Sequence, residues 1–199
     1  MKKTLALLLL ASTPATAQTG GPVEPFGLRQ GLPISELLKM GAKPLETPGY
    51  YRLDRVPNPN SNFEFYTVKA SPEQGLCRVR GVGVIIRNDK SGYRTRQVFN
   101  DLETSLNNKY GKGLRFDFLK SSSIWDETND WMMAIRTEDR YLTTFWSVSE
   151  GLKLPRGLDN IMLNVNALNS SDGYVDVSYE FSNMKACTDE LKGDVGKGL

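Results

Sequence analysis

The chain has 199 residues, 25 basic and 23 acidic side chains, two cysteines and no histidine. The missing histidine excludes Ser-His and Cys-His nucleophile pairs, histidine general bases and histidine-ligated zinc or iron. The near balance of charge, with no run of one sign, leaves nothing to attract nucleic acid or an anionic membrane.

Met1 to Gln18 has the three parts of an export signal in order. Lys2 and Lys3 are the positive start, Thr4 to Ala11 the apolar run, and Ala15-Thr16-Ala17 the cleavage site. The apolar run is shorter than the roughly 20 residues that cross a bilayer. Removing residues 1–17 from 199 leaves 182, takes away two lysines and no acid, and brings the formal charge from +2 to zero. The expected location is a bacterial periplasm or the exterior, after cleavage near Ala17-Gln18, with no membrane insertion of the mature chain. Residues 18–25, rich in Gly and Pro, read as a flexible arm.

Pro33 to Met40 predicts a short helix, with proline in its first turn, Ile34, Leu37 and Leu38 on one stripe, and Gly41 as its stop. Strands follow near Tyr50–Arg55 and Phe63–Lys69, separated by a Pro/Asn loop over Val56–Asn62. Gly75 to Arg87 reads as a long strand whose alternation slips by one. Cys77 and Val79 oppose Arg78 and Arg80, whereas Val82, Val84 and Ile86 continue out of phase, which predicts a β-bulge at Gly81. A stronger helix is predicted over Arg94–Lys109, with Val98, Phe99, Leu102 and Leu106 inward and Gly111 as its stop. A short strand at Leu114–Leu119 and a serine-rich loop come next.

From Asp130 to Asn183 the pattern is an antiparallel meander. Its strands are Asp130–Thr137, a turn at Glu138-Asp139, Arg140–Ser149, Asp159–Leu168, and a last strand after the Asp172-Gly173 turn. Leu142, Thr144 and Trp146 share one face, as do Ile161, Leu163 and Val165, and Val175, Val177, Tyr179 and Phe181. A terminal helical turn over Asn183–Lys192 carries Cys187, and residues 194–199 read as a disordered tail. The fold class is therefore α+β: antiparallel meander sheet covered by two main helices, in one domain over residues 26–193. Each main helix is followed by a meander, which fits two α-β-β-β halves, 26–92 and 93–193, sharing one core.

An even cysteine count in an oxidising compartment predicts a structural disulfide between Cys77 and Cys187. A redox-active pair would be spaced C-x-x-C, and this one is not.

The run Gly31-Leu32-Pro33-Ile34-Ser35-Glu36-Leu37-Leu38-Lys39-Met40-Gly41-Ala42-Lys43-Pro44 resembles the helix–Gly–Pro pattern of the BamE-like (SmpA/OmlA) and β-lactamase-inhibitor-protein group. Leu32 stands at the usual Met and Pro33 at the usual Ser or Thr, and one extra residue separates Gly41 from Pro44. The resemblance implies an exported α+β module, sometimes in tandem, whose sheet binds another protein without catalytic residues.

Two constellations are candidate sites. In Trp125-Asp126-Glu127-Thr128-Asn129-Asp130-Trp131 two indoles flank three carboxylates, a composition suited to sugar stacking beside an acid pair, or equally to a polar turn between core aromatics. It lacks the spacing and glycine of an EF-hand. Arg78 and Arg80 on one strand face suit a carboxylate-bearing partner, or equally cross-strand ion pairs with acids such as Glu64. Met132 beside Trp131 leaves open whether an apolar patch faces a partner or the core.

The expected function is non-enzymatic: an exported binding or inhibitor-like protein that contacts another envelope or extracellular protein, with no cofactor and no metal. Two alternatives remain, a carbohydrate-binding or carbohydrate-active envelope protein using Trp125–Trp131, and a structural subunit of an envelope complex.

Overall fold

The computed structural model describes residues 23–196, with side chains described to residue 193. The predicted export signal, most of the predicted arm and residues 197–199 lie outside the described residues. The elements are helix α1 (Ile34–Lys39), strands β1 (Lys43–Pro44), β2 (Tyr50–Leu53), β3 (Phe63–Ser71) and β4 (Gly75–Gly83), helix α2 (Tyr93–Tyr110), strand β5 (Leu114–Leu119), helix α3 (Trp131–Arg136), strands β6 (Arg140–Ser147), β7 (Leu158–Ala167) and β8 (Gly173–Phe181), and helix α4 (Met184–Gly196).

All eight strands form one antiparallel sheet in the order β1-β2-β3-β4-β8-β7-β6-β5. This is the α+β class read from the sequence. Each half is a helix followed by four consecutive antiparallel strands, one more than the expected α-β-β-β, and in the second half α3 is inserted between β5 and β6. The first strand of each half lies at an edge and the last lies at the centre, where β4 pairs with β8 from Arg78↔Glu180 to Val82↔Asp176. One apolar cluster runs through both halves, from Leu28, Leu37 and Leu53 to Phe99, Trp146 and Phe181.

Paired residues of neighbouring strands share a face, so the register assigns every side chain to a side. Tyr66, Val79, Tyr179, Ile161 and Trp146 face the core. α2 lies on that side, where Glu103 accepts from Thr144 Oγ1 at 2.5 Å and Asn107 Oδ1 from Trp146 Nε1 at 3.1 Å. The start of α2 has glycine, Gly92, at its cap position, with φ 66° and no side chain to offer. Asp89 caps it instead, accepting from the Thr95 amide and hydroxyl at 2.8 Å each.

Several expectations need correction. Asp130–Thr137 is no strand: a 3-10 turn over Thr128–Asp130 leads directly into α3. Trp131, Met132, Ala134 and Ile135 are all buried, at the i, i+1, i+3, i+4 spacing of a helix. Met132 therefore faces the core and makes no surface patch. There is no bulge at Gly81, whose neighbours pair without a break with β8. The extra residue in β4 is Cys77, since Arg78 pairs with Lys69 while Leu76 pairs with Ala70. A second irregularity lies at Glu64 in β3. Val82 consequently stands on the arginine face, and Gly81 leaves room on the core side for Phe63 and Phe26, whose ring atoms come within 3.1 Å of where a Cβ would be. Pro25, assigned to the arm, is buried in a 3-10 turn. α4 runs to Gly196, past the predicted helical turn and into the predicted tail. Between Gly41 and Tyr50, where the sequence predicts no strand, lies the two-residue edge strand β1.

The expected disulfide joins Cys77 to Cys187, with Cα atoms 6.4 Å apart and 110 residues between them in sequence. It fixes α4 beside β3 and β4. Lys69 Nζ donates to Thr188 Oγ1 at 2.8 Å, Ser71 Oγ to Glu190 at 2.5 Å, and the Glu73 amide to Glu190 at 2.9 Å.

Candidate functional site

The side of the sheet opposite the core carries one helix, α4, at the β3–β4 end. Elsewhere the described residues leave it open. Exposure along β7 follows directly: Ile161, Leu163 and Val165 are buried while Met162, Asn164 and Asn166 between them are half-exposed.

The middle of the open face is a polar row that crosses the seam between the two halves. Thr143 Oγ1 donates to Asn164 Oδ1, Asn164 Nδ2 to Asn166 Oδ1, Asn166 Nδ2 to Asp176 Oδ1, and Arg80 Nε to Asp176 Oδ2. Asp176 is fully buried beneath these partners. Burial pushes its pKa up, against the opposing pull of Arg80 and Asn166. The Arg80 guanidinium is partly desolvated, which lowers its pKa, but the charge and hydrogen bond of Asp176 together with Tyr174 outweigh this and raise it.

Toward the first half the face becomes cationic and aromatic. Arg52 stacks on Phe65 at 3.8 Å, and Lys69 and Arg78 approach the Tyr50 ring at 5.6 and 5.2 Å. Arg78 also lies 3.8 Å from Glu180. The arginines therefore pair across strands, with Glu180 and Asp176 of β8 in place of the expected Glu64.

Lys69 is only 7% exposed. Burial and the neighbouring Arg78 lower its pKa, with Glu180 opposing. Between that lowered value and the free-lysine value of about 10.4 the unfolded chain holds more protons, so stability rises with pH in that window. Lys69→Met is expected to raise the urea midpoint at pH 7 and to flatten this alkaline rise. Equal midpoints for variant and wild type at pH 7 and at pH 9.5 would refute a penalty at Lys69.

Toward β5 the face turns apolar. Leu114, Phe116 and Phe118 are 46%, 41% and 47% exposed. Phe116 meets Phe145 edge-on at 5.9 Å, and Phe118 stacks on Tyr141 at 5.2 Å. Leu114, Phe116, Phe145 and Val148 wall a groove of about 770 Å³ with Glu150 and Asp159 at its rim.

The Trp125–Trp131 cluster does not assemble on this face. Trp131 is 6% exposed and packs over Gly92, where a Cβ would come within 2.0 Å of its ring. Arg96 lies 5.4 Å from the same ring. Trp125 is half-buried, Asp126 and Glu127 are exposed, and Asp130 is half-buried in the turn before α3. Trp131 is in the core, so Trp125 is the indole of this pair left at the surface. No group of three or more acidic or cysteine side chains that could hold a metal occurs among the described residues.

No family model, no curated protein and no solved structure matches this chain. The open face thus stands on its own geometry. The sequence alone does not mark its apolar end as a site, because alternation in Leu114–Leu119 marks a strand without saying what covers its apolar side. No described helix is long and apolar enough to cross a membrane.

Proposed function

We propose that the chain is an exported, non-enzymatic binding protein that holds another protein against the open face of its sheet. The observation that carries this reading is the apolar end of that face. Leu114, Phe116 and Phe118 leave a contiguous aromatic surface in water beside the Phe145 groove, and such patches mark partner sites. The amide row supplies hydrogen-bond partners next to it, and the Arg52, Arg78 and Lys69 end supplies cations over aromatic rings. The disulfide fits an oxidising compartment, and the three-part N-terminal run fits export to the periplasm or beyond it. The run from Gly31 to Pro44 that resembles the BamE-like and β-lactamase-inhibitor group supports the same mode of action, a sheet that grips a protein.

The test is affinity capture from the periplasmic and secreted fractions of the source cells, with Phe145→Asp/Val148→Asp as the comparison. Neither residue lies on the edge strand; Val148 is exposed and Phe145 is half-buried beside the groove. Wild type is expected to retain a partner at micromolar concentration, and the double variant to weaken binding at least about tenfold. Capture of no protein by wild type, or equal capture by the variant, overturns the reading. Retention on immobilised polysaccharide that is lost with Trp125→Ser would favour the carbohydrate alternative.

A further inference from the structure

The two edges of the sheet are built differently. β1 is two residues long and contains Pro44, which cannot donate to a further strand. β5 is six residues long, Leu114-Arg115-Phe116-Asp117-Phe118-Leu119, with no proline, glycine or lysine. It is the last strand of the sheet, all six of its pairings go to β6, and five of its six residues are exposed. Every second residue of such a strand turns its N–H and C=O toward the free edge. A strand of this kind is a template for another, and proteins that stay apart blunt it.

The side chains identify which strand fits. Alternation puts Leu114, Phe116 and Phe118 on the open face and Arg115 and Asp117 on the face toward α2. When β5 pairs antiparallel with a second β5, a register that keeps like faces together must shift in steps of two. Centring the pair on Asp117 opposes two aspartates, and centring it on Arg115 opposes two arginines. Centring it on Phe116 places Phe116 opposite Phe116, Leu114 opposite Phe118, and Arg115 opposite Asp117 on both sides of the axis. Apolar groups then meet only apolar groups, and each charge meets its opposite. The strand is self-complementary in one register only.

We propose that the chain forms a two-fold dimer by antiparallel pairing of β5 with β5 of a second copy, centred on Phe116. The pairing is isologous, so it closes at two copies and does not propagate. It joins the two sheets into one continuous sheet and merges their apolar ends into a single aromatic band at the dyad. Arg115 already contacts Glu103 at 2.6 Å and Asp117 at 3.1 Å within its own copy, so the second carboxylate extends an existing network. The interface is narrow, and the dimer is expected to dissociate on dilution into the micromolar range.

The test is sedimentation of the full mature chain combined with register-specific variants. Wild type is expected to shift from monomer toward twice that mass between about 1 and 500 μM, concentrations chosen for a small interface. Asp117→Arg opposes arginine to arginine and is expected to weaken the dimer at least about tenfold, as is Arg115→Asp. Mixed together, the two variants oppose unlike charges throughout and should form a heterodimer. Circular dichroism establishes that each variant is folded, and cysteine variants give an arm independent of the charges. Phe116→Cys places two thiols across the dyad, within the Cα separation a disulfide spans, and should cross-link on mild oxidation. Phe118→Cys alone should not, because its copies sit four residues, about 13 Å, out of register. A wild type that stays monomeric at 500 μM, or Phe118→Cys that cross-links as readily as Phe116→Cys, overturns the proposal. Neither result depends on whether a partner is captured by the Phe145 groove.

Discussion

With Cys77 and Cys187 both replaced by alanine, the chain is expected to lose about 4 kcal/mol of unfolding free energy, approaching the chain-entropy limit for a loop of this length. The bridge spans 110 residues, so its absence enlarges the unfolded ensemble more than a short-range bridge would. For a chain of this size the loss corresponds to a fall in Tm of about 10 °C. The damage is also local. α4 is 13 residues long and is held to the sheet by Lys69–Thr188, by Ser71 and Glu73 to Glu190, and by Asn183 Nδ2 donating to the Gln74 and Leu76 carbonyls. A helix of that length is marginal without tertiary support. Amide exchange in Met184–Gly196 should therefore accelerate in the variant before the rest of the sheet opens. An unchanged thermal midpoint, with the wild-type bond confirmed by peptide mass spectrometry, would contradict this account.

How far the sequence could be read depended on whether a segment met one environment or two. β6, β7 and β8 have a wet side and a dry side, and their alternation placed them within about two residues. α2, with Phe99 and Leu106 on one stripe and Gly111 at φ 87° as its stop, was equally legible. Trp131 to Arg136 was misread because Trp131-Met132-Met133-Ala134-Ile135 is apolar throughout. A run without polar members fits both a two-residue and a 3.6-residue period. The deciding facts are tertiary: Gly92 and Gly173 leave the space into which Trp131 and Met132 pack. The bulge was displaced from Gly81 to Cys77 for a related reason. The slip in apolar phase at Val82 is real, but it is absorbed by putting Val82 on the open face beside Arg80, between Phe65 and Asp176, where it is buried.

The candidate site was less legible than the fold. Trp125 to Trp131 drew attention by composition, yet burial of Trp131 divides the cluster. Arg78 and Arg80 were correctly placed on a face of their own. Their partners come from β8, about 100 residues later, and one-dimensional spacing holds no record of that pairing. The open face itself follows from a count of covers among the described residues: three helices and the N-terminal turn serve the core side or its end, and of the described elements α4 alone reaches the other. That allocation is set by how β4 meets β8, which is a long-range event.

The seam between β4 and β8 is therefore where the largest single-residue effect on the open face is expected. Arg80→Met removes the cation beside Asp176, whose carboxylate is fully buried and keeps Asn166 as its remaining donor. Stranding a buried charge in this way costs about 3 kcal/mol at pH 7. Burial already holds the Asp176 pKa up, and loss of Arg80 removes an opposing pull, so it rises further. A carboxyl raised in the folded state binds its proton more tightly there than in the unfolded chain. Stability of the variant then falls as pH climbs from the unfolded value near 3.9 through the folded pKa, and it is recovered on acidification. Asp54, Asp172 and Asp189 have lowered pKa values and weaken the fold in acid, but they do so equally in both proteins and cancel in the difference. Urea titrations of variant and wild type at pH 7 and pH 4.5 should thus show a deficit that shrinks in acid. The double variant Arg80→Met/Asp176→Leu, which removes both charges, should recover most of the loss at pH 7. A deficit of equal size at both pH values, persisting in the double variant, would mean that Arg80 acts by packing its stem against Val82 and β8 and that the ion pair is dispensable.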